Sequence, residues 1–362
     1  MINPHILELP AYNAGLPIAQ FRSLYGHAPR AKLDSNETPF GVSPKALEAG
    51  RAAVAQAHLY PDGNGTGLRD ALQSATDVDA GCIVLGNGSE ELIYAIYGAV
   101  LAPGDHVLTV TPGFGLHVLA AQGLKMPVET VRYGTDWTLP MDKLKAALAR
   151  KPKVFAISSP SNPLGVALSL PELCEILASI HKDTLVLLDE AYFEYNPIDS
   201  LSALKASGLN WISLRTFSKA YGLAGMRVGY GLCSSASLRD AVRKLTPPFN
   251  ANAVAQAMGQ AAFEDRSFLA ETVQKTIDAR DALAQNLRDM GFRLTPSKSN
   301  AVFFATSEYA VDVAERLRGE GVLVKAWHED GYDRFLRVSV GTPQDNKAFI
   351  EALTKLGVQS AA

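Results

Sequence analysis

The sequence predicts an α/β protein with a mostly parallel sheet in a large domain and a smaller α/β domain beside it. Between about residue 80 and residue 232, short apolar runs alternate with polar loops and helix-like segments, a pattern typical of strands joined by helical crossovers. After Pro247 and Pro248 the pattern changes to longer helical segments and then to two further strand-like runs. A chain of 362 residues is long enough to form two such domains.

The predicted strands of the large domain are six apolar runs, and the residues that follow each run are candidate ligand-binding residues. The runs are residues 82–85, 106–110, 154–157, 185–188, 211–214 and 228–232. Ligands of parallel sheets bind beyond the carboxyl ends of the strands. We therefore expect a functional site to be assembled from the loops that begin there.

The domain division follows from the same pattern. We assign residues 36–246 to the large domain, and residues 1–35 together with 247–362 to the small domain. The segment before Asn36 has no complete structural unit of its own, so we expect it to cross from the small domain to the large one. In the small domain, helical segments up to about Met290 precede strand-like runs at 301–305 and 335–340.

Composition and charge are those of an ordinary globular protein. Hydrophobic residues make up 47%, charged residues 20%, and the formal net charge is -3. Such a chain has no broad basic field, so we expect neither nucleic acid nor a membrane as a partner. The first residues lack the order of a secretory signal and no apolar stretch reaches membrane-spanning length, so we expect a cytoplasmic protein.

Cysteine and histidine spacing indicates no metal site. Cys82, Cys174 and Cys233 form no Cys-x-x-Cys pair, which argues against a disulfide framework or a zinc site and favours a reducing compartment. The seven histidines are scattered and none has the i, i+4 spacing of a helical metal pair. We expect each histidine to be an ordinary surface or core residue.

The most informative stretch follows the fifth run, where Lys219 lies beside the hydroxyls of Thr216 and Ser218 and eight residues before Arg227. An amine forms an imine with an aldehyde only when part of it is unprotonated, and a nearby cation or a dry pocket lowers its pKa. The two hydroxyls and the guanidinium could hold a phosphate group. The simpler alternative is a basic surface turn with a capping serine.

A second candidate phosphate site follows the first run, where a helix-like segment begins near Gly88, Ser89 and Glu90. The free N–H groups at a helix N-terminus bind phosphate readily. An equally physical alternative is that Ser89 caps this helix while Glu90 complements its dipole.

The loops after the remaining runs offer groups suited to a planar heterocycle. Phe114 could stack on a ring or pack in the core, and Asn162 could donate to an aromatic oxygen or form an ordinary Asn-Pro turn. Asp189, next to a buried strand, could keep a pyridine nitrogen protonated. It could instead be a helix cap or a magnesium ligand, and the lack of a Gly-x4-Gly-Lys-Ser/Thr loop disfavours magnesium. Together these groups are what pyridoxal 5′-phosphate requires.

These motifs resemble those of the histidinol-phosphate aminotransferase family of pyridoxal-phosphate enzymes. The resemblance extends from about Lys32 to Asn346 and is carried by LDSNETPFG (33–41), YPD (60–62), GNGSE (86–90), SNPLG (161–165), DEAY (189–192), RTFSKAYGLAGMR (215–227) and LRVSVG (336–341). It implies a three-layer, fold-type I transferase. It also implies transfer of an amino group between glutamate, with 2-oxoglutarate as its keto acid, and histidinol phosphate, with imidazole-acetol phosphate as its keto acid.

The resemblance also implies roles for individual residues toward the cofactor ring. Lys219 would hold the cofactor covalently and carry the proton during catalysis, and Asp189 would pair with the ring nitrogen. Asn162 and Tyr192 would bond the phenolic oxygen, and Phe114 would stack on the ring where the family often has tyrosine. The catalytic set is therefore Lys219, Asp189 and Tyr192.

The phosphate group would be bound by Gly88, Ser89, Glu90, Thr216, Ser218 and Arg227. Tyr60 would reach the phosphate from the neighbouring subunit. The resemblance thus implies a homodimer with shared active sites, acting on small amino-acid and keto-acid substrates.

On the substrate side, the resemblance implies that Arg337 binds the α-carboxylate, in a bidentate geometry that lysine cannot copy, with help from Asn36. Lys325 stands where the family usually has an arginine that meets the distal anion, and Tyr12 and Arg22 are further candidates for that end. Because lysine binds phosphate only as a point charge, an aromatic amino-acid aminotransferase stays an alternative.

Three further functions are compatible with parts of the sequence. A threonine-phosphate decarboxylase would use the same cofactor site to break a different bond at Cα. A non-enzymatic pyridoxal-phosphate binder is less favoured because the chain has no residues to spare for a DNA-binding module. A nicotinamide enzyme is disfavoured because the glycine-rich residues 63–67 lack the Gly-x-Gly-x-x-Gly spacing and a preceding strand.

Overall fold

The computed structural model describes residue 2, residues 4–10 and residues 15–361. Its strands are β1 (Ala31–Lys32), β2 (Ile83–Gly86), β3 (Val107–Thr111), β4 (Val128–Arg132), β5 (Val154–Ser158), β6 (Leu185–Asp189), β7 (Asn210–Thr216), β8 (Gly229–Cys233), β9 (Ala301–Ala305), β10 (Val322–Leu323), β11 (Lys325–Ala326) and β12 (Phe335–Ser339).

The helices alternate with these strands along the chain. They are α1 (Pro4–Glu8), α2 (Ile18–Tyr25), α3 (Pro44–Val54), α4 (Thr66–Thr76), α5 (Gly88–Val100), α6 (Leu116–Gly123), α7 (Met141–Leu148), α8 (Leu170–Ala178), α9 (Ser200–Ala206), α10 (Ala236–Arg243), α11 (Ala253–Glu264), α12 (Arg266–Asp289), α13 (Ala310–Gly319) and α14 (Pro343–Lys355). No helix within the described ranges is both long enough and apolar enough to cross a bilayer.

The central sheet has the strand order β2-β8-β7-β6-β5-β3-β4. Neighbouring strands are parallel except at β8, which runs antiparallel to both β2 and β7. The prediction of a mostly parallel sheet is therefore confirmed. Because β8 is reversed, its first residue lies at the same edge of the sheet as the carboxyl ends of its neighbours.

The sheet has an apolar core on each face, which gives the three layers implied by the resemblance. Along β5, Phe155 and Ile157 pack in one core, whereas Val154 and Ala156 pack in the other. This alternation is the period of two that a strand imposes on its side chains. A run of buried residues on both faces is typical of strands covered by helices on both sides.

In the central sheet, the structure differs from the prediction by one additional strand and, by one or two residues, in the bounds of the predicted strands. Strand β4 lies at the edge of the sheet, and its polar residues Glu129, Thr130 and Arg132, of which the last two are exposed, interrupt the apolar run that marked the other strands. Strand β2 begins at Ile83 rather than at Cys82, because Cys82 ends a short 3-10 turn. The side chain of Asp79 starts that turn by accepting from the Gly81 N–H at 2.6 Å.

The helices begin where local side chains satisfy their free N–H groups. Ser169 and Glu172 form a reciprocal capping box at the start of α8, and Thr342 and Asp345 form another at the start of α14. Both helices also have a proline in the first turn, where the fixed φ angle of proline matches that of a helix.

A separate apolar core lies in the small domain, where Leu33, Leu283, Phe304 and Phe349 are buried together. Strands β11-β12-β9 form its antiparallel sheet, and β1 pairs with β10. The strands predicted at 301–305 and 335–340 correspond to β9 and β12. Met258 of α11 packs in a core of the large domain instead. The boundary between residues 246 and 247 stays a prediction, and we propose that the division lies after α11.

Candidate active site

The predicted site residues of the large domain lie at the carboxyl edge of the central sheet. Asp189 is the last residue of β6, Asn162 follows β5 and Lys219 follows β7. Adjacent parallel strands end at the same edge, so these three residues come together although 57 residues of sequence, from 162 to 219, separate the first from the last. The expected assembly of strand-end loops is what the structure has.

Lys219 is partly buried, and its Nζ lies 3.3 Å from the backbone oxygen of Ser35. The pKa of Lys219 is lowered to about 8, first by burial and then by the positive charges of Arg337 and Arg227, while the carboxylates of Glu90 and Glu37 oppose the shift. A lysine with this pKa has a substantial neutral fraction near neutrality, which is the form that reacts with a carbonyl.

Asp189 is buried and contacts a histidine that has no predicted role in the site. His117 Nε2 lies 3.1 Å from Asp189 Oδ2, and the Tyr97 hydroxyl lies 3.4 Å from His117 Nδ1. The ring of Phe114 meets the imidazole edge-on, with centroids 6.0 Å apart. His117 is a core residue, as expected of the histidines, but it also orients the carboxylate. Only the fold could reveal this, because His117 lies between apolar residues of α6 and its partner is 72 positions away.

The predicted phosphate ligands around Lys219 lie within hydrogen-bonding distance of one another. Thr216 Oγ1 donates to Ser218 Oγ at 3.0 Å, and the Ser218 N–H donates to Thr216 Oγ1 at 3.1 Å. Arg227 Nη1 donates to Ser218 Oγ at 3.3 Å. Two hydroxyls and one guanidinium therefore converge on a small region, as the sequence predicts.

The N-terminus of α5 completes this region because two glycines allow close approach. Gly88 has φ 78°, and a Cβ there would lie 2.5 Å from Arg227 Nη2. A Cβ on Gly229, at the start of β8, would lie 2.5 Å from the Ser89 nitrogen. The side chain of Asn87 does not cap this helix, so its first N–H groups are available to an anion.

Glu90 occupies the same region in a different role from that of a phosphate ligand. Its Oε2 accepts from Arg227 Nη2 at 2.9 Å, and both side chains are partly exposed. An ionised carboxylate can only accept hydrogen bonds, so it cannot donate to a phosphate. A direct contact of Glu90 with the cofactor could come only from its backbone N–H, and it stays a prediction in that form.

On the opposite side of the site, Arg337 on β12 is buried and bonds to both domains. Its Nη1 donates to Asn162 Oδ1 at 2.8 Å, and its Nη2 donates to the Asp34 backbone oxygen at 2.6 Å. Because the oxygen of the Asn162 amide is used by Arg337, the Nδ2 group is the end of Asn162 suited to donate to a ligand.

Lys325 lies directly opposite Arg337 in the β11-β12 pair. Burial lowers the pKa of Lys325, and the charge of Arg337 lowers it further, while Asp34 opposes the shift. Two cations directly opposite each other on one face of a sheet repel. A site with this arrangement is suited to an anionic ligand, and the substrate roles of both residues stay predictions.

Asn36 and Tyr192 are buried and joined by a hydrogen bond from Asn36 Nδ2 to the Tyr192 hydroxyl at 2.9 Å. The Tyr192 ring also faces Lys219, whose Nζ is 5.8 Å from the ring centroid. Burial raises the pKa of Tyr192 above its usual range, so its hydroxyl keeps its proton near neutrality. The structure therefore places both predicted residues beside the lysine.

Three more of the predicted residues are placed less closely or lie outside the description. Tyr60 is 82% exposed and stacks on Phe249 with ring centroids 4.6 Å apart. Arg22 lies on α2 with an exposed side chain. Tyr12 is outside the described residues. The roles of all three stay predictions.

Acidic, histidine and cysteine side chains are spread out in the part of the chain that the structure describes. Within it, no three of them are grouped so that they could hold a metal ion. The expectation of no metal remains a prediction from the sequence.

Comparison with known proteins gives concordant matches. A sequence model of the family described as aminotransferase class I and II matches residues 29–353. Histidinol-phosphate aminotransferase 3 of Rhizobium meliloti is 41% identical over 98% of this chain and 97% of its own length. Histidinol-phosphate aminotransferase 1 of Mesorhizobium japonicum is 40% identical over 98% of both chains.

Solved structures agree with these sequence matches. The histidinol-phosphate aminotransferase of Sinorhizobium meliloti, solved in complex with pyridoxal-5′-phosphate, superimposes with a TM-score of 0.89 at 27% identity and covers 98% of both chains. Aspartate aminotransferase of Thermus thermophilus, solved with maleate, superimposes with a TM-score of 0.84 at 20% identity over 98% of this chain and 99% of its own. The predicted fold type is thereby confirmed.

Proposed function

Because this chain belongs to the class I and II aminotransferases, we propose that it is a pyridoxal-phosphate-dependent histidinol-phosphate aminotransferase. It transfers an amino group between glutamate and histidinol phosphate. The observation that carries this function is Lys219, which follows β7 at the sheet edge where the adjacent strand β6 ends in the buried Asp189, and whose pKa is lowered to about 8 by burial and by the charge of Arg337. Relatives with this activity in their names match almost the whole chain.

The residues present fit pyridoxal phosphate. Gly88 leaves open a small space that a single added Cβ would fill. This space lies beside the hydroxyls of Thr216 and Ser218 and the uncapped N-terminus of α5. Such a set of N–H, hydroxyl and guanidinium donors suits a phosphate dianion. Asp189 suits a ring nitrogen that must keep its proton, because the carboxylate is buried and fixed by His117.

Each residue then has one physical task. Pyridoxal phosphate, when bound, supplies an electron-withdrawing ring that stabilises negative charge on the carbon next to the amino group. Lys219 would hold the cofactor and would carry the proton to and from that carbon. Asp189 keeps the ring nitrogen charged, and Asn162 and Tyr192 donate to the phenolic oxygen. Phe114 provides the stacking surface.

The substrate is oriented by the cations of the opposite side. Arg337 binds the α-carboxylate while Asn162 and the Asp34 carbonyl hold the guanidinium in place. Lys325, opposite Arg337, contributes positive charge toward the second anion, which is a phosphate in one substrate and a carboxylate in the other. A lysine accommodates both because it binds as a point charge. Tyr12 and Arg22 are proposed to close the same end.

The test is a substrate panel with the purified, cofactor-loaded protein. Histidinol phosphate with 2-oxoglutarate is expected to yield glutamate, measured with a coupled glutamate assay. Phosphothreonine is expected to release no carbon dioxide, which separates the transferase from a decarboxylase. Absence of glutamate with every amine in the panel would refute the proposed function.

Aromatic amino acids are the second candidate substrates, and the observation that favours them is Lys325. Lysine lacks the bidentate phosphate contact that an arginine would make. Phenylalanine and tyrosine therefore belong in the same panel. Lys325→Arg is expected to raise kcat/KM for histidinol phosphate relative to phenylalanine by about tenfold or more, since one additional charge-assisted hydrogen bond is worth about 1.5 kcal/mol or more. An unchanged ratio would remove Lys325 from substrate selection.

We further propose that the protein forms a homodimer with shared active sites in the cytoplasm. Tyr60 is 82% exposed, and Phe249, Tyr94 and Leu245 are about half exposed. Tyr60 stacks on Phe249, and Leu245 lies against α5 near Gly98, one turn beyond Tyr94. These residues contribute exposed apolar surface that such a dimer would bury. A second copy of the chain would cover this surface and receive Tyr60 at its own phosphate.

Mixing two inactive variants tests the shared site. Lys219→Ala lacks the amine, and Tyr60→Ala lacks the contributed hydroxyl. In a mixed dimer one of the two sites has both residues, so unfolding and refolding the variants together is expected to restore up to about half of the wild-type activity per mixed dimer. The control is each variant refolded alone. No restoration in a mixture that is dimeric by light scattering would contradict a shared site.

A further inference from the structure

A buried hydroxyl on β12 controls the conformation of Asn36. Ser339 lies two residues after Arg337 and is 3% exposed. Its Oγ accepts from the Asn36 backbone N–H at 2.7 Å and donates to Asn36 Oδ1 at 3.0 Å. One side chain from the small domain therefore binds both the backbone and the side chain of a residue at the active site.

The directions of these hydrogen bonds are fixed by chemistry. A backbone N–H can only donate, so Ser339 Oγ accepts there and gives its own proton to Asn36 Oδ1. The Asn36 amide must then present its NH₂ group to the Tyr192 hydroxyl, to which it donates at 2.9 Å. The Tyr192 oxygen is an acceptor in this bond, so the Tyr192 proton remains available to another acceptor.

The same contacts fix the backbone of residues 34–36, which contacts both Lys219 and Arg337. Asn36 has φ 52°, a left-handed conformation that asparagine tolerates better than most residues. The Asn36 carbonyl also accepts from Asn300 Nδ2 at 2.9 Å. The preceding carbonyls of Asp34 and Ser35 accept from Arg337 and Lys219. A shift of Asn36 would therefore change its side chain and these two neighbouring contacts together.

We propose that Ser339 is a positioning residue that sets the direction of the hydrogen bond at Tyr192, so that Tyr192 donates to the phenolic oxygen of the cofactor. This inference rests on the proposed function. Without the Ser339 hydroxyl, the Asn36 amide can turn over and present its oxygen to Tyr192. Tyr192 then donates to Asn36, and the cofactor loses one hydrogen bond.

The experiment uses two matched pairs of variants, prepared as apoprotein and loaded with pyridoxal phosphate. Ser339→Ala removes only the hydroxyl and is paired with the wild type. Ser339→Thr and Ser339→Val have nearly the same shape, and only threonine keeps a hydroxyl. Binding of pyridoxal phosphate is measured by its absorbance, and the pH midpoint of the chromophore is read from the same spectra. The melting temperature of each apoprotein shows that it is folded.

Loss of the hydroxyl is expected to weaken cofactor binding by about three- to tenfold, the range for one neutral hydrogen bond. It is also expected to raise the pH midpoint of the chromophore, because a donor at the phenolic oxygen stabilises the deprotonated form. Weaker cofactor binding and a higher pH midpoint are expected for Ser339→Ala compared with the wild type, and for Ser339→Val compared with Ser339→Thr. Ser339→Thr is expected to resemble the wild type. Threonine and valine variants that behave alike would overturn the assignment.

A double-mutant cycle separates positioning from general support. If Ser339 acts through Tyr192, Ser339→Ala adds little to the cofactor affinity and pH midpoint of Tyr192→Phe. Fully additive changes would overturn the assignment. Wild-type protein that binds no pyridoxal phosphate would overturn the proposed function and this inference together. Normal binding by the wild type with an unchanged Ser339→Ala would overturn the Ser339 assignment alone.

Discussion

The cofactor side and the substrate side of the active site are built in different ways. The cofactor side consists of residues at one edge of one sheet, and Thr216, Ser218 and Arg227 contact one another within twelve residues of chain. The substrate side combines Asn36, Lys325 and Arg337, which come from both ends of the chain and meet through β11, β12 and a buried loop. The phosphate-binding hydroxyls and guanidinium of the first are close in sequence, whereas the second depends on tertiary packing throughout.

This difference in construction matches a difference in what each side is proposed to bind. The cofactor side binds one invariant molecule through groups whose spacing is fixed by the sheet. In the proposed function, the substrate side accepts a phosphate and a carboxylate in turn through two cations, the buried Arg337 and the partly buried Lys325. We therefore expect substitutions on the cofactor side to abolish turnover for all substrates, and those on the substrate side to change preference among them.

The largest expected effect is that of Lys219→Ala. Loss of the amine removes both the covalent attachment and the proton carrier, so turnover should fall by about 10⁴-fold or more for every substrate. Borohydride reduction should no longer fix the cofactor to the chain, as read by mass spectrometry. Lys182→Ala, at an exposed position, is the control and should keep both properties. Retained labelling in Lys219→Ala would place the attachment elsewhere.

Asp189→Asn comes next and also belongs to the cofactor side. The variant keeps the shape of the side chain but removes the charge that stabilises a protonated ring nitrogen. A preorganised electrostatic contact of this kind is worth about 100-fold or more in kcat. The loss should be equal for glutamate and histidinol phosphate, which steady-state rates with each substrate will measure. A loss confined to one substrate would break the proposed separation of the two sides.

Arg337→Lys should have a smaller effect and one of a different kind. Lysine keeps the charge but loses the bidentate geometry, so the KM for glutamate should rise by about tenfold or more, with kcat changed less. Arg334→Lys, at an exposed position of the same segment, is the matched control. A fall in kcat with KM unchanged would assign Arg337 to the chemical step instead.

The smallest expected effect is a shift in the pKa of Lys219, on the cofactor side, when the charge of Arg337 on the substrate side is removed. Covalent capture of pyridoxal phosphate by the apoprotein requires neutral Lys219, so its rate should rise with pH, level off above a midpoint of about 8 and fall about tenfold per unit below it. Arg337 lowers the pKa of Lys219, so Arg337→Gln should move this midpoint to higher pH. Stopped-flow absorbance measures the rate, with Arg334→Gln as control. An unmoved midpoint would mean that Arg337 does not contribute to the lowered pKa of Lys219.

The sequence predicted the local half of this site better than the distributed half. Lys219, Thr216, Ser218 and Arg227 fall within one motif, and strand ends at Asp189 and Asn162 follow from apolar runs that are easy to identify. The role of Arg337, in contrast, came from a family resemblance, and its hydrogen bond to Asn162 was not predicted, because neither residue carries a local signal for a partner 175 positions away.

The features missed from the sequence share one physical cause. His117 lies among apolar residues of α6, and Ser339 is a single hydroxyl in a buried strand. Both have a role only through partners distant in sequence, namely Asp189 and Asn36. Strand β4 was missed because an edge strand need not be apolar on both faces. Such properties depend on neighbours in space, which one-dimensional periodicity does not contain.

The reversed direction of β8 has a mechanical consequence. Strands β7 and β8 are adjacent and antiparallel, so the chain that joins them, residues 217–228, is anchored at both of its ends to the rigid sheet. Lys219 lies near one anchor and Arg227 near the other. The distance between Lys219, the proposed point of covalent attachment, and Arg227, a proposed phosphate ligand, is therefore constrained from both ends by the central sheet and does not rely on contacts with the small domain.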